Sequence, residues 1–136
     1  MDMAEINQRV IEQYRAGGEV TGMHRDRLVL LTTTGRVTGE PRTTPVFFLP
    51  DEESGGILVV ASANAAPDDP DWYLNIEAEP HVRVEAPEET YEATAEIIDG
   101  EEHDQVWSSV VDRAGFFAEH QAKIEREIPV VRLVRA

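Results

Sequence analysis

The chain has 136 residues, 41% of them hydrophobic, no cysteine, and 12 basic against 27 acidic side chains, a formal net charge of -15. That length predicts one domain with its own core, the missing cysteines exclude disulfides and a thiolate nucleophile, and the acidity argues against a nucleic-acid partner, whose phosphates want a basic face. No apolar run approaches the ~18 residues that span a bilayer and no basic segment leads into an apolar one at the start, so the expected location is the cytoplasm, with peripheral membrane contact kept open only through the N-terminal helix.

In chain order, "MAEINQRVIEQYR" (residues 3–15) has Met3, Ile6, Val10 and Tyr14 at three- and four-residue spacing. This predicts an amphipathic helix stopped by Gly17-Gly18. Its polar face mixes Glu5, Glu12, Arg9 and Arg15, which favours packing on the body over a membrane surface. Residues 27–33 and 43–49 read as strands, joined by the turn "TGRVTGEP". "DEESGG" is a tight acidic turn, and 57–61 is an apolar run of strand length.

"NAAPDDP" is a loop. Asp69 is expected to cap, and Pro70 to begin, the short helix "PDWYLNIEA", which ends before Pro80. Residues 81–85 and 90–98 read as strands, helices follow near 101–112 and 116–126 with Gly115 between them, and 130–134 closes as a strand. About six strands in short succession predict a mostly antiparallel, barrel-like sheet with peripheral helices, an α+β arrangement dominated by β structure.

Charge is unevenly spread. Residues 1–45 hold six acids and six arginines, so the remainder of the chain carries the whole net charge of -15. Within that neutral third, "LLTTTGRVTGEPRTTPVFFLP" (residues 30–50) collects six threonines, two glycines, three prolines, Arg36 and Arg42. Gly35 and Gly39 can take positive φ, and a tight turn can turn its amides outward as an anion-binding concavity. Two guanidiniums across a hairpin can grip a phosphate, with Thr38, Thr43 and Thr44 as hydroxyl donors. A plain hairpin, with threonines for strand propensity and arginines paired to nearby acids, accounts for the same spacing equally well.

His24, His81, His103 and His120 show no metal-binding spacing, so no metal is expected. There is no G-x-S-x-G elbow and no phosphate-binding loop. Glu88-Glu89 and Glu101-Glu102 read as solvated faces. Ser62 stands out as a hydroxyl at the end of an apolar strand.

Three separated segments, "LLTTTGRVTGEPRTTPVFFLPD", "ILVVASANAAPDDPDWYLNIEAEPHVRVE" and "REIPVVRL", resemble the deazaflavin-dependent nitroreductase family. Its members are small split β-barrels of flavin-reductase type that use coenzyme F420. The resemblance implies that Arg36, Val37, Thr38, Arg42, Thr43, Thr44, Pro45, Val46 and Phe47 hold the phosphate and polyglutamate tail and flank the deazaflavin. It implies that Val60, Ala61, Ser62 and Ala63 line the cofactor from a strand end, and that Asp71, Trp72, Tyr73, Leu74 and Asn75 contact its other side. Phe117 then stands over the substrate pocket, with His120 one helical turn on. The chain departs from the pattern at Ala63, where members place a polar or cationic residue, with Asn64 one place late; Ala114, Phe117 and His120 replace the family's pocket tyrosines.

The reading that follows is an oxidoreductase passing a hydride from reduced F420 to a small electron acceptor, a quinone, activated enone or nitro-type compound. Ser62 would hydrogen-bond the ring edge or the substrate, and solvent can supply the completing proton. The alternatives are a non-catalytic carrier of F420 or another anionic ligand, and an FMN-dependent reductase. Monomer and homodimer both fit.

Overall fold

The computed structural model describes residues 3–18, 20 and 25–136. Among these the order is α1 (Met3–Arg15), β1 (Leu28–Thr34), β2 (Pro41–Pro50), β3 (Ile57–Val60), α2 (Asp71–Ala78), β4 (His81–Glu85), β5 (Thr90–Ile98), α3 (Gly100–Arg113), α4 (Phe116–Ala122) and β6 (Val130–Arg135). The strands close into an antiparallel barrel in the order β1-β2-β3-β6-β5-β4. The antiparallel barrel with helices around it is the architecture expected from the strand pattern.

Strand alternation divides the apolar residues among separate cores. Val29 and Leu31 of β1, Val59 of β3, Val82 and Val84 of β4, Ala93 and Ala95 of β5, and Val131 and Leu133 of β6 fill the barrel, joined by Trp72, Tyr73 and Ile76 from α2. The opposite faces need cover. Leu28 and Leu30 lie under Val10, Ile11 and Tyr14 of α1. Leu58, Val60, Ile98 and Val130 lie under α3 and α4 through Val110 and Phe117.

Several boundaries shift for identifiable reasons. In α1 the buried face is Val10, Ile11 and Tyr14, whereas Ile6 is exposed; the Tyr14 hydroxyl donates to the Leu28 carbonyl, 3.1 Å. Pro70, not Asp69, takes the N-cap position of α2, because Asp69 is drawn to Arg126 at 2.9 Å. Helix α4 ends at Ala122, four residues before the expected end. There the Gln121 side chain donates to the Arg126 carbonyl (2.7 Å) and accepts from the Ile128 amide (2.9 Å), folding the chain back toward β6.

A buried ion pair ties the far end of β2 to β6. Arg132 Nε lies 2.6 Å from Asp51 Oδ2, with Glu53 and Glu102 each 3.3 Å from the same guanidinium.

Candidate functional site

The β1–β2 turn is built from close contacts. Gly39 adopts φ +77°, a conformation that favours glycine. Gly35 does not; it is needed for space, since a Cβ there would meet the Glu40 carbonyl at 3.1 Å and the Thr38 hydroxyl at 3.2 Å. The turn keeps several amides for itself. Gly35 N donates to the Glu40 carbonyl and Gly39 N to the Gly35 carbonyl, each 2.8 Å. Glu40 N donates to the Thr38 hydroxyl and Arg36 N to Asn75 Oδ1, each 3.2 Å. These four amides are therefore not directed at a ligand.

Arg36 is braced against α2. Its guanidinium donates to Asn75 Oδ1 (2.9 Å) and to Asp71 Oδ1 (3.2 Å). Asn75, buried, donates in turn to the Thr33 hydroxyl of β1, 3.1 Å. Arg42 stands opposite Thr33 in the strand register and is more than half exposed, with only a 3.9 Å approach to Glu40.

Between this hairpin, α2 and α1 opens a cleft of about 730 Å³. Of the residues singled out in the sequence it brings together Arg36, Val37, Thr38, Arg42, Thr43, Thr44, Asp71, Trp72 and Asn75. Among the described residues, its lining includes three arginines, Arg15, Arg36 and Arg42, and one acid, Asp71. In a chain of charge -15, that gathering suits a ligand with several anionic groups.

A second group lies around the end of β3. Ser62 is buried, and its Oγ is 3.2 Å from His120 Nδ1. Phe116 and Phe117 hold the imidazole with ring centroids at 5.7 and 5.9 Å, and Phe47 of β2 meets both phenylalanines edge-on at 5.4 Å. Strand β2 thus runs from the arginine-rimmed cleft to this aromatic wall. Pro45 and Val46, between the two, are buried.

The loop after Ser62 is strained and clamped. Ala63 and Ala65 sit at φ +49° and +63°, each costing roughly 1–2 kcal/mol for a residue with a Cβ. Arg126 holds the loop in place, donating to the carbonyls of Ala61 (3.1 Å), Ser62 (2.9 Å) and Ala66 (3.1 Å) while pairing with Asp69.

Ala61, Val46 and Tyr73 pack in the barrel interior with Leu74 against them, and burial raises the Tyr73 phenol pKa above its usual range. Val60 packs with Phe117 under α4, and Ala63 is exposed. His81 is exposed and meets Glu92 at 2.8 Å. His103 is buried, its Nε2 bonded to the Ile128 carbonyl (2.8 Å) and its Nδ1 2.7 Å from Glu127. His24 and the Asn64 side chain lie outside the described residues.

Sequence reading gave no role to Arg126, although it opens the segment "REIPVVRL", and missed the contribution of α1. Asn7, Gln8, Ile11 and Arg15 line the cleft, although only packing or membrane contact was expected of that helix.

A family model described as F420H(2)-dependent quinone reductase matches residues 6–135. An F420H(2)-dependent quinone reductase of Mycobacterium tuberculosis (strain H37Rv) is 34% identical over 110 residues, 79% of this chain and 72% of the relative. Among solved structures, one titled as an F420-H2 dependent reductase is similar at TM-score 0.70 and 34% identity, covering 82% of this chain and 99% of that one. Another, titled a domain-swapped dimer, is similar at TM-score 0.72 and 32% identity, covering 93% and 92%.

Proposed function

This chain belongs to the F420H(2)-dependent quinone reductase family, and on that premise we propose how its two residue clusters divide the work. It is an F420H2-dependent oxidoreductase, so the carrier and FMN alternatives fall away. When bound, reduced F420 supplies a hydride to an electrophilic acceptor. The acceptor proposed is a quinone, with activated enones and nitro-type compounds as other members of the same electrophilic class.

The residues present suit this cofactor. A cleft of about 730 Å³ is of ordinary size for a small-molecule site. Its donors are guanidiniums and threonine hydroxyls, the chemistry that a phosphodiester and carboxylate tail requires. Arg42, exposed and loosely paired, is the proposed anchor. Arg36 is proposed as a strut whose outer edge completes the grip, with Val37 and Thr38 beside it and Thr43 and Thr44 below.

Thr44, Pro45, Val46 and Phe47 of β2 are proposed as the residues that would flank the deazaflavin, which would supply the hydride. Ala61, Tyr73 and Leu74, in or against the barrel interior, Val60 on the opposite face, and Ala63 are proposed as further residues around it. Phe47, Phe116 and Phe117 offer a planar, apolar acceptor a matching wall and exclude water. The Ser62 hydroxyl can donate to an acceptor oxygen, and His120, 3.2 Å away, can replace the proton.

The observation that carries this reading is the arginine-rimmed cleft in an otherwise acidic protein. The test is a fluorescence titration with F420, followed by addition of a soluble quinone to the complex with reduced cofactor. Saturable binding and quinone-dependent reoxidation are expected; absence of saturable binding overturns the assignment. A homodimer is the proposed assembly, prompted by the domain-swapped relative.

A further inference from the structure

Helix α1 has two adjoining stripes. Val10, Ile11 and Tyr14 are buried against β1. Asn7, Gln8, Ile11 and Arg15 line the cleft, within about 100° of one another at 100° per residue. Packing on the barrel needs only the first stripe. The second sets two carboxamides and a guanidinium on an open cavity, facing a hairpin that already carries Arg36 and Arg42.

Arg15 is held in place without being used up. Its Nε and one terminal nitrogen reach the two carboxylate oxygens of Glu85 at 3.1 and 2.8 Å. That leaves three of the five guanidinium N–H donors for another acceptor. Its side chain is about half exposed. The hydrogen bond to Glu85, partly opposed by burial, raises its pKa further.

We propose that α1 is a wall of the ligand site, and that Arg15, flanked by Asn7 and Gln8, binds the carboxylates at the far end of the cofactor's tail. This rests on the F420 reading above. Arg42 serves the phosphate from the hairpin, so the two arginines read different parts of one elongated polyanion.

The experiment compares F420 carrying its glutamate tail with the glutamate-free form that keeps the phosphate, on wild type, Arg15→Ala, Arg42→Ala and Glu85→Gln, each checked for folding by circular dichroism. Arg15→Ala is expected to weaken the tailed cofactor on the order of tenfold and leave the glutamate-free form unchanged, while Arg42→Ala weakens both. Glu85→Gln removes the same ion pair but keeps the guanidinium, so it is expected to bind the tailed cofactor at least as well as wild type. Equal affinity of wild type and Arg15→Ala, an equal loss on both cofactor forms, or a loss in Glu85→Gln matching that of Arg15→Ala overturns the proposal. Wild type that binds neither form fails the F420 reading itself, a distinct result.

Discussion

The side-chain oxygen of Asn75 accepts from Arg36 twice, from the backbone amide at 3.2 Å and from the guanidinium at 2.9 Å. One buried carboxamide on α2 thus fixes both the path of the hairpin and the aim of its first arginine. Its amide nitrogen closes the connection to β1 at Thr33.

Asn75→Leu leaves Arg36 N and the buried Thr33 hydroxyl without these partners. Losing hydrogen bonds to a buried group costs about 1–3 kcal/mol, so a lowered urea midpoint is expected, together with weaker F420 binding from a hairpin no longer held to α2. A variant with wild-type stability and wild-type affinity removes Asn75 from both roles.

Arg42 and Arg36 should respond differently to truncation. Among the described residues Arg42 has one distant ion-pair partner, Glu40, so Arg42→Ala is expected to weaken F420 by about tenfold in dilute buffer, with the ratio to wild type shrinking as salt shortens the screening length from ~10 Å at 0.1 M to ~3 Å at 1 M. Arg36→Ala also strips the Arg36 partners from Asp71 and Asn75, so its loss should persist in high salt. Titrations at two ionic strengths separate the two; identical salt dependence would show that both act in the same way.

How much of this was readable in the sequence follows from how local each signal is. Strand β4 announces itself because one face is buried, so Val82 and Val84 alternate with exposed His81 and Arg83, whereas β1, β3 and β6, covered on both faces, read as continuous apolar runs. The turn's glycines and threonines lie within one short segment, of which Gly35, Thr38, Thr43 and Thr44 line the cleft. Arg126 opens the quoted segment "REIPVVRL", but nothing local gives its role. Its partners are residues 61, 62, 66 and 69, at least 57 positions away, and its neighbours are charged like any solvated loop. Arg132 sits in "VVRLVR", where alternation suggests an outward, solvated side chain; its partner Asp51 is 81 residues upstream. The cleft-lining stripe of α1 was hidden because asparagine, glutamine and arginine on a helix read as solvent-facing until a hairpin is folded opposite them.

The Asp51–Arg132 pair predicts a pH dependence of stability. Burial pushes the Asp51 carboxyl up, but hydrogen bonds from Ser54 and Arg132 and the charge of Arg132 outweigh it, leaving the pKa below its usual 3.8. A depressed folded-state pKa means stability present in full above the unfolded value and lost as pH falls through the folded one. Asp51→Asn is therefore expected to cost about 3 kcal/mol at pH 7 by leaving Arg132 short of its closest partner, and the gap to wild type should narrow below about pH 4. Thermal melts of both proteins across that range are the check. A gap that stays constant on acidification would mean the pair adds nothing that depends on its charge.

Ser62 and His120 should behave as one unit. The hydroxyl is buried and the imidazole packs edge-on against Phe116 and Phe117. If the pair delivers the proton that completes reduction, Ser62→Ala and His120→Phe each interrupt the same transfer. General acid catalysis contributes roughly 10²–10⁴-fold, and at least tenfold loss of turnover is expected from either change, with F420 affinity kept because Arg42 and the cleft are untouched. The double variant should then be little worse than either single one, since a broken relay is not broken further. Losses that multiply in the double variant would assign the two residues independent roles. A normal rate in both single variants would leave solvent as the source of the proton.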